Sequence, residues 1–380
     1  MAIEVLNVTS EQNQRESVRK ASEVLRSGGL VALPTETVYG VAASADNSDA
    51  VARLRALKGR RSHGPFTVHI GRRSEAERFL NQTSGLERRL IARGWPGPLT
   101  LVFDVPDPGR SPIMEGRDAA FVSRVYYSDP AGGGTTVGLR YPDCPVTCDT
   151  INQSECVVVA SSANRSGQPP PTDAEGVLAQ LEDDVDLLLD GGPTKYGGAS
   201  TIARVRDHRA EIIRQGVLEE RTLRKLAMTN ILLVCTGNTC RSPMAAGLLK
   251  ALLAEALGIE VSELENNGYR TPAAGTATVS GLPATPEAVA AMKEKGIDIS
   301  DHRSTALTHE MVEQAQVILT MTRGHRAAVL RLGSGNDERC CLVSDGRDIA
   351  DPMGGDLAVY KSCRDQIEEG LRARLTEVIL

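Results

Sequence analysis

NILLVCTGNTCRSPMA, residues 230–245, passes from an apolar run through a glycine-containing turn into a stretch with helical spacing. Asn230 to Cys235 read as a buried strand, and Pro243 to Leu257 as a helix whose proline suits its first turn. A strand, a turn and a helix N-terminus gather backbone N–H groups around one point, where the helix macrodipole also favours an anion. Such a turn holds phosphate. Cys235, at the strand's end, lies beneath that anion as a thiolate nucleophile, and Arg241 offers a bidentate fork to two equatorial phosphoryl oxygens. In-line displacement also needs an acid for the leaving group, and DPMGG (351–355) supplies Asp351 ahead of a rigid proline.

The same alternation runs on to the C-terminus, with a helix over 285–295, a strand over 316–320 and a closing helix over 355–378. The pattern predicts a parallel sheet wrapped by helices. Upstream, a charged helical run, LEERTLRKLAM (218–228), arrives without a Pro/Gly linker and places a boundary near Ala227. Two domains result, 1–226 and 227–380. In the first, Val18, Ala21, Val24 and Leu25 recur at helical spacing until Gly28-Gly29 ends the pattern. GLVALP (29–34), FTVHI (66–70), LTLVFD (99–104), CVVVA (156–160), STIARV (200–205) and AEIIR (210–214) read as strands, a mixed α/β pattern.

A chain of 380 residues is too long for one ordinary core, which agrees with two domains. Hydrophobic content of 41% with 24% charged residues belongs to a folding, water-soluble protein. The acidic start and the lack of a bilayer-length apolar stretch predict a cytoplasmic protein with no membrane role. Eight cysteines are too few for a disulfide framework, and Cys144 with Cys148 has no second pair at zinc-finger spacing, so no metal site is expected. A formal net charge of −6 gives no general attraction to nucleic acid, which leaves a local cluster, KGRR (58–61), as a place where phosphate can be met.

C-x5-R-S on the strand–helix turn, AGT (274–276), HRS (302–304) and the late Asp-Pro together resemble the low-molecular-weight protein tyrosine phosphatase family over residues 229–380. The resemblance implies a phosphocysteine intermediate on Cys235 and phosphate held by Arg241 and the loop amides. It also implies help from Ser242, an orienting role for Asn238 and Asp351 switching from acid to base, with no metal or other cofactor. Thr239 is polar where many tyrosine phosphatases carry an aliphatic residue, and Met353, Gly354 and Gly355 follow the Asp-Pro where aromatics are usual. These features are similar to the branch acting on protein phosphoarginine, with phosphotyrosine kept as the other reading; phosphoproteins are the substrates either way. Cys240 reads equally as a packing thiol or as the partner in a reversible disulfide that spares Cys235 from over-oxidation.

In the N-terminal half, PTETVYG (34–40) alone is a polar turn, KGR (58–60) alone is a charged helix end or a phosphate contact, and His69 alone is a core histidine. SSAN (161–164) follows a buried strand, where α/β sheets place ligand groups. With WPGPLT (95–100), TVGLRYP (136–142), ST (200–201) and IIRQG (212–216), these motifs in this order resemble the Sua5/YrdC/YciO family over about residues 8–217. The resemblance implies a twisted α/β sheet with a large cavity, in which L-threonine, bicarbonate and ATP become threonylcarbamoyl-adenylate and pyrophosphate on the way to t6A in tRNA. Carried over motif by motif, Thr37, His69, Arg140 and Ser200, with the backbone of Ala160, are threonine-side positions. Lys58, Arg60, Thr136, Ser162, Asn164 and Arg214 are ATP-side positions, and magnesium rides on the triphosphate, bound mainly by substrate oxygens. A separate transferase that passes the threonylcarbamoyl group to tRNA is an implied partner, as is a contact with tRNA itself.

The whole then reads as a bifunctional enzyme. The alternative is an N-terminal RNA- or nucleotide-binding regulatory module without synthesis, beside an active phosphatase. Its support is Gly64, where many synthases carry an asparagine, and Pro170, in place of a small hydroxyl residue. The segment 107–135, with Tyr126, Tyr127 and a GGG tract, is longer than the family's usual connection and reads as a lid over the cavity or as a surface insertion.

Overall fold

Along LTLVFD, TTVGLR and TIARVR, side chains of opposite character alternate, and a period of two gives a sheet with unlike faces. The computed structural model describes residues 3–59, 66–129, 133–181, 184–206, 209–333 and 338–379. The chain divides into two compact units, Met1–Ala227 and Met228–Leu380.

The first unit carries strands β1 (Glu4–Asn7), β2 (Val31–Leu33), β3 (Gly40–Ser44), β4 (Thr67–His69), β5 (Leu99–Asp104) and β6 (Tyr127–Ser128). β7 (Thr135–Arg140), β8 (Val158–Ser162), β9 (Leu187–Asp190), β10 (Thr201–Arg206) and β11 (Arg209–Arg214) follow. Among the described residues they form one mixed sheet in the order β1-β9-β2-β3-β8-β4-β7-β5-β10-β11, with β6 paired to β7. Leu99, Leu101 and Phe103 of β5, Val137 and Leu139 of β7 and Ala203 and Val205 of β10 are buried in a common core. The alternate residues Thr100, Val102, Thr136, Arg140, Ile202 and Arg204 line a cavity on the opposite face. Helix Glu11–Arg26 covers another part of the sheet beside helix Pro145–Ser154, tied to it by Ser22 Oγ donating to Thr150 O at 2.9 Å.

In the second unit β12 (Thr229–Cys235), β13 (Tyr269–Arg270), β14 (Ala273–Gly275), β15 (Val317–Thr320) and β16 (Cys340–Leu342) pair throughout in parallel. The order is β13-β12-β15-β16, with β14 also on β12. Ile231, Leu233 and Cys235 enter one apolar cluster and Leu232 and Val234 another, so β12 is buried on both faces and reads as a continuous apolar run. Helix Arg241–Leu257 buries Met244, Ala245, Leu248 and Leu249 beside Cys235 and ends at Gly258 in the left-handed conformation (φ 66°), the usual glycine stop.

Several elements differ from the sequence expectation. The helix begins at Arg241, two residues ahead of Pro243, because a proline is tolerated anywhere in a first turn whose N–H groups have no intrahelical acceptor. Ser161 and Ser162, which follow the strand read at 156–160, extend β8, since they pair with Val41 and Gly40. β3, GVAAS, has weak strand propensity and is held by its neighbours on both sides.

Of segment 107–135, residues 107–129 and 133–135 are described, and part of the GGG tract lies outside the described residues. Ile113, Phe121, Val125 and Tyr126 are buried, and Tyr126 donates its hydroxyl proton to Phe79 O at 3.0 Å. Tyr127 lines the cavity, so the segment contributes a wall of it. Tyr126→Ala is expected to destabilise the first unit by about 3–5 kcal/mol, the range for a large buried aromatic. Tyr126→Phe is expected to cost about 1 kcal/mol for the lost hydrogen bond. Urea unfolding of the full chain measures both; a cost below about 0.5 kcal/mol for the alanine variant is what a loose surface segment gives.

Candidate active sites

The first site is a cavity of about 420 Å³ over the polar face of β8, β4, β7, β5, β10 and β11. Among the residues singled out from the sequence, His69, Thr136, Arg140, Ala160, Ser162, Ser200 and Arg214 line it. Pro170 lines it too, whereas Arg60 and Gly64 lie outside the described residues. Thr37, Lys58 and Asn164 stand one layer back and touch the wall. Lys58 Nζ donates to Ser162 O at 3.0 Å, Asn164 O at 2.5 Å and Asn164 Oδ1 at 3.1 Å. Ser162 Oγ also reaches Asn164 Oδ1, at 2.5 Å, so the lysine clamps the SSAN turn.

Arg140 dominates the electrostatics. Its Nη2 donates to Glu36 Oε1 at 2.9 Å, to Thr37 Oγ1 at 2.6 Å and to Thr35 Oγ1 at 3.5 Å. Both members of the Arg140–Glu36 pair are about 5% exposed, and the other carboxylate oxygen of Glu36 accepts Asp143 N–H at 3.0 Å. Arg140 Nε is buried without a hydrogen-bond partner. Arg214 donates to Ser200 O at 2.9 Å, and burial first, then the Arg140 charge, lowers its pKa. Two guanidinium groups on one wall make the cavity attractive to anions.

Desolvation, then the charge of Arg140, pushes the His69 pKa down to about 3, against a weaker opposite pull from the Thr67 carbonyl. The imidazole is therefore neutral at ordinary pH and can only donate and accept hydrogen bonds.

Sequence reasoning missed Glu36 and Thr100, whereas Tyr127 was named there as part of a lid over the cavity or a surface insertion and lines the cavity wall. Glu36 sits inside PTETVYG, and a carboxylate within a buried motif was the available signal. Tyr39 of the same motif is structural: its hydroxyl donates to Gly192 O at 2.8 Å and accepts Gly191 N–H at 3.0 Å.

The second site lies at the C-terminal end of β12. Cys235 Sγ is 3.0 Å from Ser242 Oγ and accepts Asn238 N–H at 3.2 Å. Asn238 has φ 54°, a left-handed value that asparagine tolerates, and both ends of its side-chain amide are hydrogen-bonded. Nδ2 donates to Ser242 Oγ at 2.8 Å and Oδ1 accepts Thr305 N–H at 2.7 Å, while His302 Nε2 donates to Asn238 O at 2.7 Å. Arg241 is 4% exposed; Nη1 donates to Ile349 O at 3.1 Å, Nη2 donates to Thr236 Oγ1 at 3.3 Å and also pairs with Asp351 Oδ2. Its Nε is buried and unpartnered. Thr239 is buried next to Cys240, a free thiol that meets Tyr360 OH at 3.4 Å. The loop thus brings together Cys235, Asn238, Thr239, Arg241, Ser242 and Asp351. Thr236 and His325 join them and were not singled out; His325 belongs to another helix, which no local spacing reveals.

Among the described residues no cluster of three His, Cys, Asp or Glu is placed to hold a metal, and no helix is long and apolar enough to cross a membrane.

A family model described as "Telomere recombination", that of Sua5/YciO/YrdC, matches residues 23–216, and that of the low molecular weight phosphotyrosine protein phosphatases matches residues 230–379. The chain is 36% identical over 212 residues to the threonylcarbamoyl-AMP synthase of Bacillus subtilis, an alignment covering 56% of this chain and 57% of that protein. It is 38% identical over 148 residues to the protein-arginine-phosphatase of the same organism, covering 38% of this chain and 92% of that protein. The crystal structure of Pyrococcus abyssi Sua5 complexed with L-threonine superposes with a TM-score of 0.50 at 21% identity, over 97% of this chain and 98% of that one, a likeness of fold. The chain belongs to the Sua5/YciO/YrdC family in its first unit and to the low-molecular-weight phosphatase family in its second. It spans only about three fifths of the length of the synthases it matches first.

The His69 imidazole is expected to show no titration between pH 5 and 8 in an NMR pH series of the full chain. In the unfolded chain it protonates near its ordinary pKa of about 6.5. Below that pH the unfolded state binds a proton that the folded state refuses until about pH 3, so this residue's effect is a loss of stability as pH falls through the window. A midpoint near 6.5 in the native spectrum contradicts the assignment.

Proposed function

We propose that the chain is a two-headed enzyme, a threonylcarbamoyl-AMP synthase followed by a protein-arginine phosphatase. The observation that carries the synthase reading is the buried Arg140 at the wall of a cavity that Arg214 also lines, with Arg140 Nε still unpartnered. A threonine carboxylate satisfies that group and relieves the repulsion between Arg140 and Arg214, and neutral His69 adds a hydrogen bond without further charge. ATP occupies the Thr136, Ser162 and Arg214 side, where the clamped SSAN turn offers hydroxyl and amide groups. Arg60 is assigned to the triphosphate by motif, and magnesium accompanies the triphosphate as part of the substrate. The threonine amine adds to bicarbonate to give a carbamate with loss of water. A carbamate oxygen then attacks the α-phosphorus, and pyrophosphate leaves. The mixed anhydride goes on to a transferase that modifies tRNA.

In the second unit, Cys235 is placed for in-line attack on phosphorus, with its sulfur receiving Asn238 N–H at the start of a long helix. Arg241 Nε and Nη2 form the fork that grips two phosphoryl oxygens, so phosphate binding shifts Asp351 away from Nη2 and toward the leaving group. Asp351 protonates the departing guanidine nitrogen as the P–N bond breaks and the S–P bond forms. It then takes a proton from the water that cleaves S–P. Buried, polar Thr239 and the Met353-Gly354-Gly355 segment, which lacks an aromatic, support a guanidine rather than a phenol leaving group.

Arg140→Ala is expected to abolish threonine- and ATP-dependent pyrophosphate release and leave phosphate release intact. Cys235→Ser is expected to do the reverse, with phosphate release down by about a thousandfold or more, the scale of losing a nucleophile. A folded wild type that binds ATP yet releases no pyrophosphate supports the nucleotide-binding module instead. Thr239→Val, which keeps shape and removes the hydroxyl, is expected to lower the kcat/KM ratio of phosphoarginine to phosphotyrosine peptides; an unchanged ratio removes Thr239 from the specificity argument.

A further inference from the structure

His325 is 7% exposed in the second unit, on helix Arg323–Leu332, and both ring nitrogens are engaged. Nε2 lies 2.8 Å from Thr236 Oγ1 and Nδ1 lies 2.9 Å from Thr322 Oγ1. Thr236 follows the nucleophile directly, and its Oγ1 already accepts a proton from Arg241 Nη2. The tautomer with its proton on Nδ1 donates there to Thr322 Oγ1 and takes the Thr236 hydroxyl proton in a hydrogen bond at Nε2, which keeps the lone pairs of Thr236 Oγ1 for Arg241. Burial, then the Arg241 charge, lowers the His325 pKa against the opposite pull of Asp351 and Asp348, which agrees with a neutral ring accepting at Nε2.

We propose that His325 is a positioning residue for phosphoryl transfer, holding the phosphate-gripping Arg241 in place by fixing the Thr236 hydroxyl as an acceptor. The proposal rests on the phosphatase reading. Its physical basis is that Arg241 has three tethers and one of them must let go. Asp351, half exposed, has to leave Nη2 to protonate the departing group, while the guanidinium stays in register with Cys235. Ile349 O on Nη1 and Thr236 Oγ1 on Nη2 remain. A threonine hydroxyl with no acceptor of its own rotates and presents its proton to the guanidinium; an acceptor at Nε2 prevents that. The histidine thereby uncouples the arginine's position from the acid's motion.

His325→Ala, His325→Gln, Thr236→Val and the Ala/Val double variant of the full chain test the relay. Turnover of a phosphoarginine peptide is measured together with protection of Cys235 from iodoacetamide by inorganic phosphate. His325→Ala and Thr236→Val are each expected to lower kcat by about 10- to 100-fold, the scale of a misplaced catalytic group, and to weaken phosphate protection. The double variant is expected to be no worse than either single one, and His325→Gln, whose amide oxygen can replace Nε2 as acceptor, to recover most of the loss. Losses that multiply in the double variant overturn the proposal, as does a lowered Tm with kcat per folded molecule and phosphate protection unchanged. Thr236→Val keeps the imidazole and so remains informative where His325→Ala does not fold. A wild type that releases no phosphate in a Cys235-dependent way defeats the phosphatase reading alone, since phosphate protection of the thiol tests the His325 relay without turnover.

Discussion

A guanidinium taken out of water has to be neutralised and hydrogen-bonded whether or not its ligand is there, because a buried unpaired charge costs several kcal/mol. Arg140 and Arg241 both face that constraint. Arg140 is held by Glu36 and the hydroxyls of Thr35 and Thr37, and Arg241 by Asp351, Thr236 and the Ile349 carbonyl. Each keeps Nε buried and unpartnered. The surrounding architecture exists to hold these groups: six neighbouring strands wall the first, and a strand end with a helix N-terminus carries the second.

The two carboxylates differ in a way that follows from burial. Glu36 is enclosed and also bound to Asp143 N–H, so it is a fixed counterion. Asp351 sits on an exposed loop beside glycines, so its pairing with Arg241 is open to water on one side. A fixed counterion keeps its guanidinium in one place whatever else enters the cavity. An exchangeable one leaves both the guanidinium and the carboxylate free to take other partners.

The two units also place ligand groups by different geometric rules. In the first, the period of two along β7 puts Thr136 and Arg140 on the cavity face and Val137 and Leu139 in the core, so one strand supplies both a cavity wall and packing. In the second, β12 is buried on both faces and leaves only its end for chemistry, where Cys235 meets the first turn of the following helix. Two neighbours in segment 107–135 divide their roles between core and cavity. Tyr126 is anchored in the core and Tyr127, its neighbour, faces the cavity.

Short-range pattern was enough to bring Cys235, Asn238, Arg241 and Ser242 together, because they lie within one strand–turn–helix unit whose local geometry determines their meeting. It was enough for Thr136 and Arg140 and for the strands with clear alternation, since the period of two is a local property. It was not enough for β3, whose small residues carry little strand preference, nor for Glu36, whose partner Arg140 is brought to it by the pairing of β2 with β3, β3 with β8, β8 with β4 and β4 with β7. His325 was invisible for the same reason: it reaches Thr236 only because β15 pairs beside β12 and carries the following helix to the loop. The sequence by itself determined which groups could do chemistry, through motifs whose members are close along the chain. Only the tertiary structure decided which groups hold them, because counterions and hydrogen-bond relays are supplied across strands by long-range pairing that leaves no periodic trace.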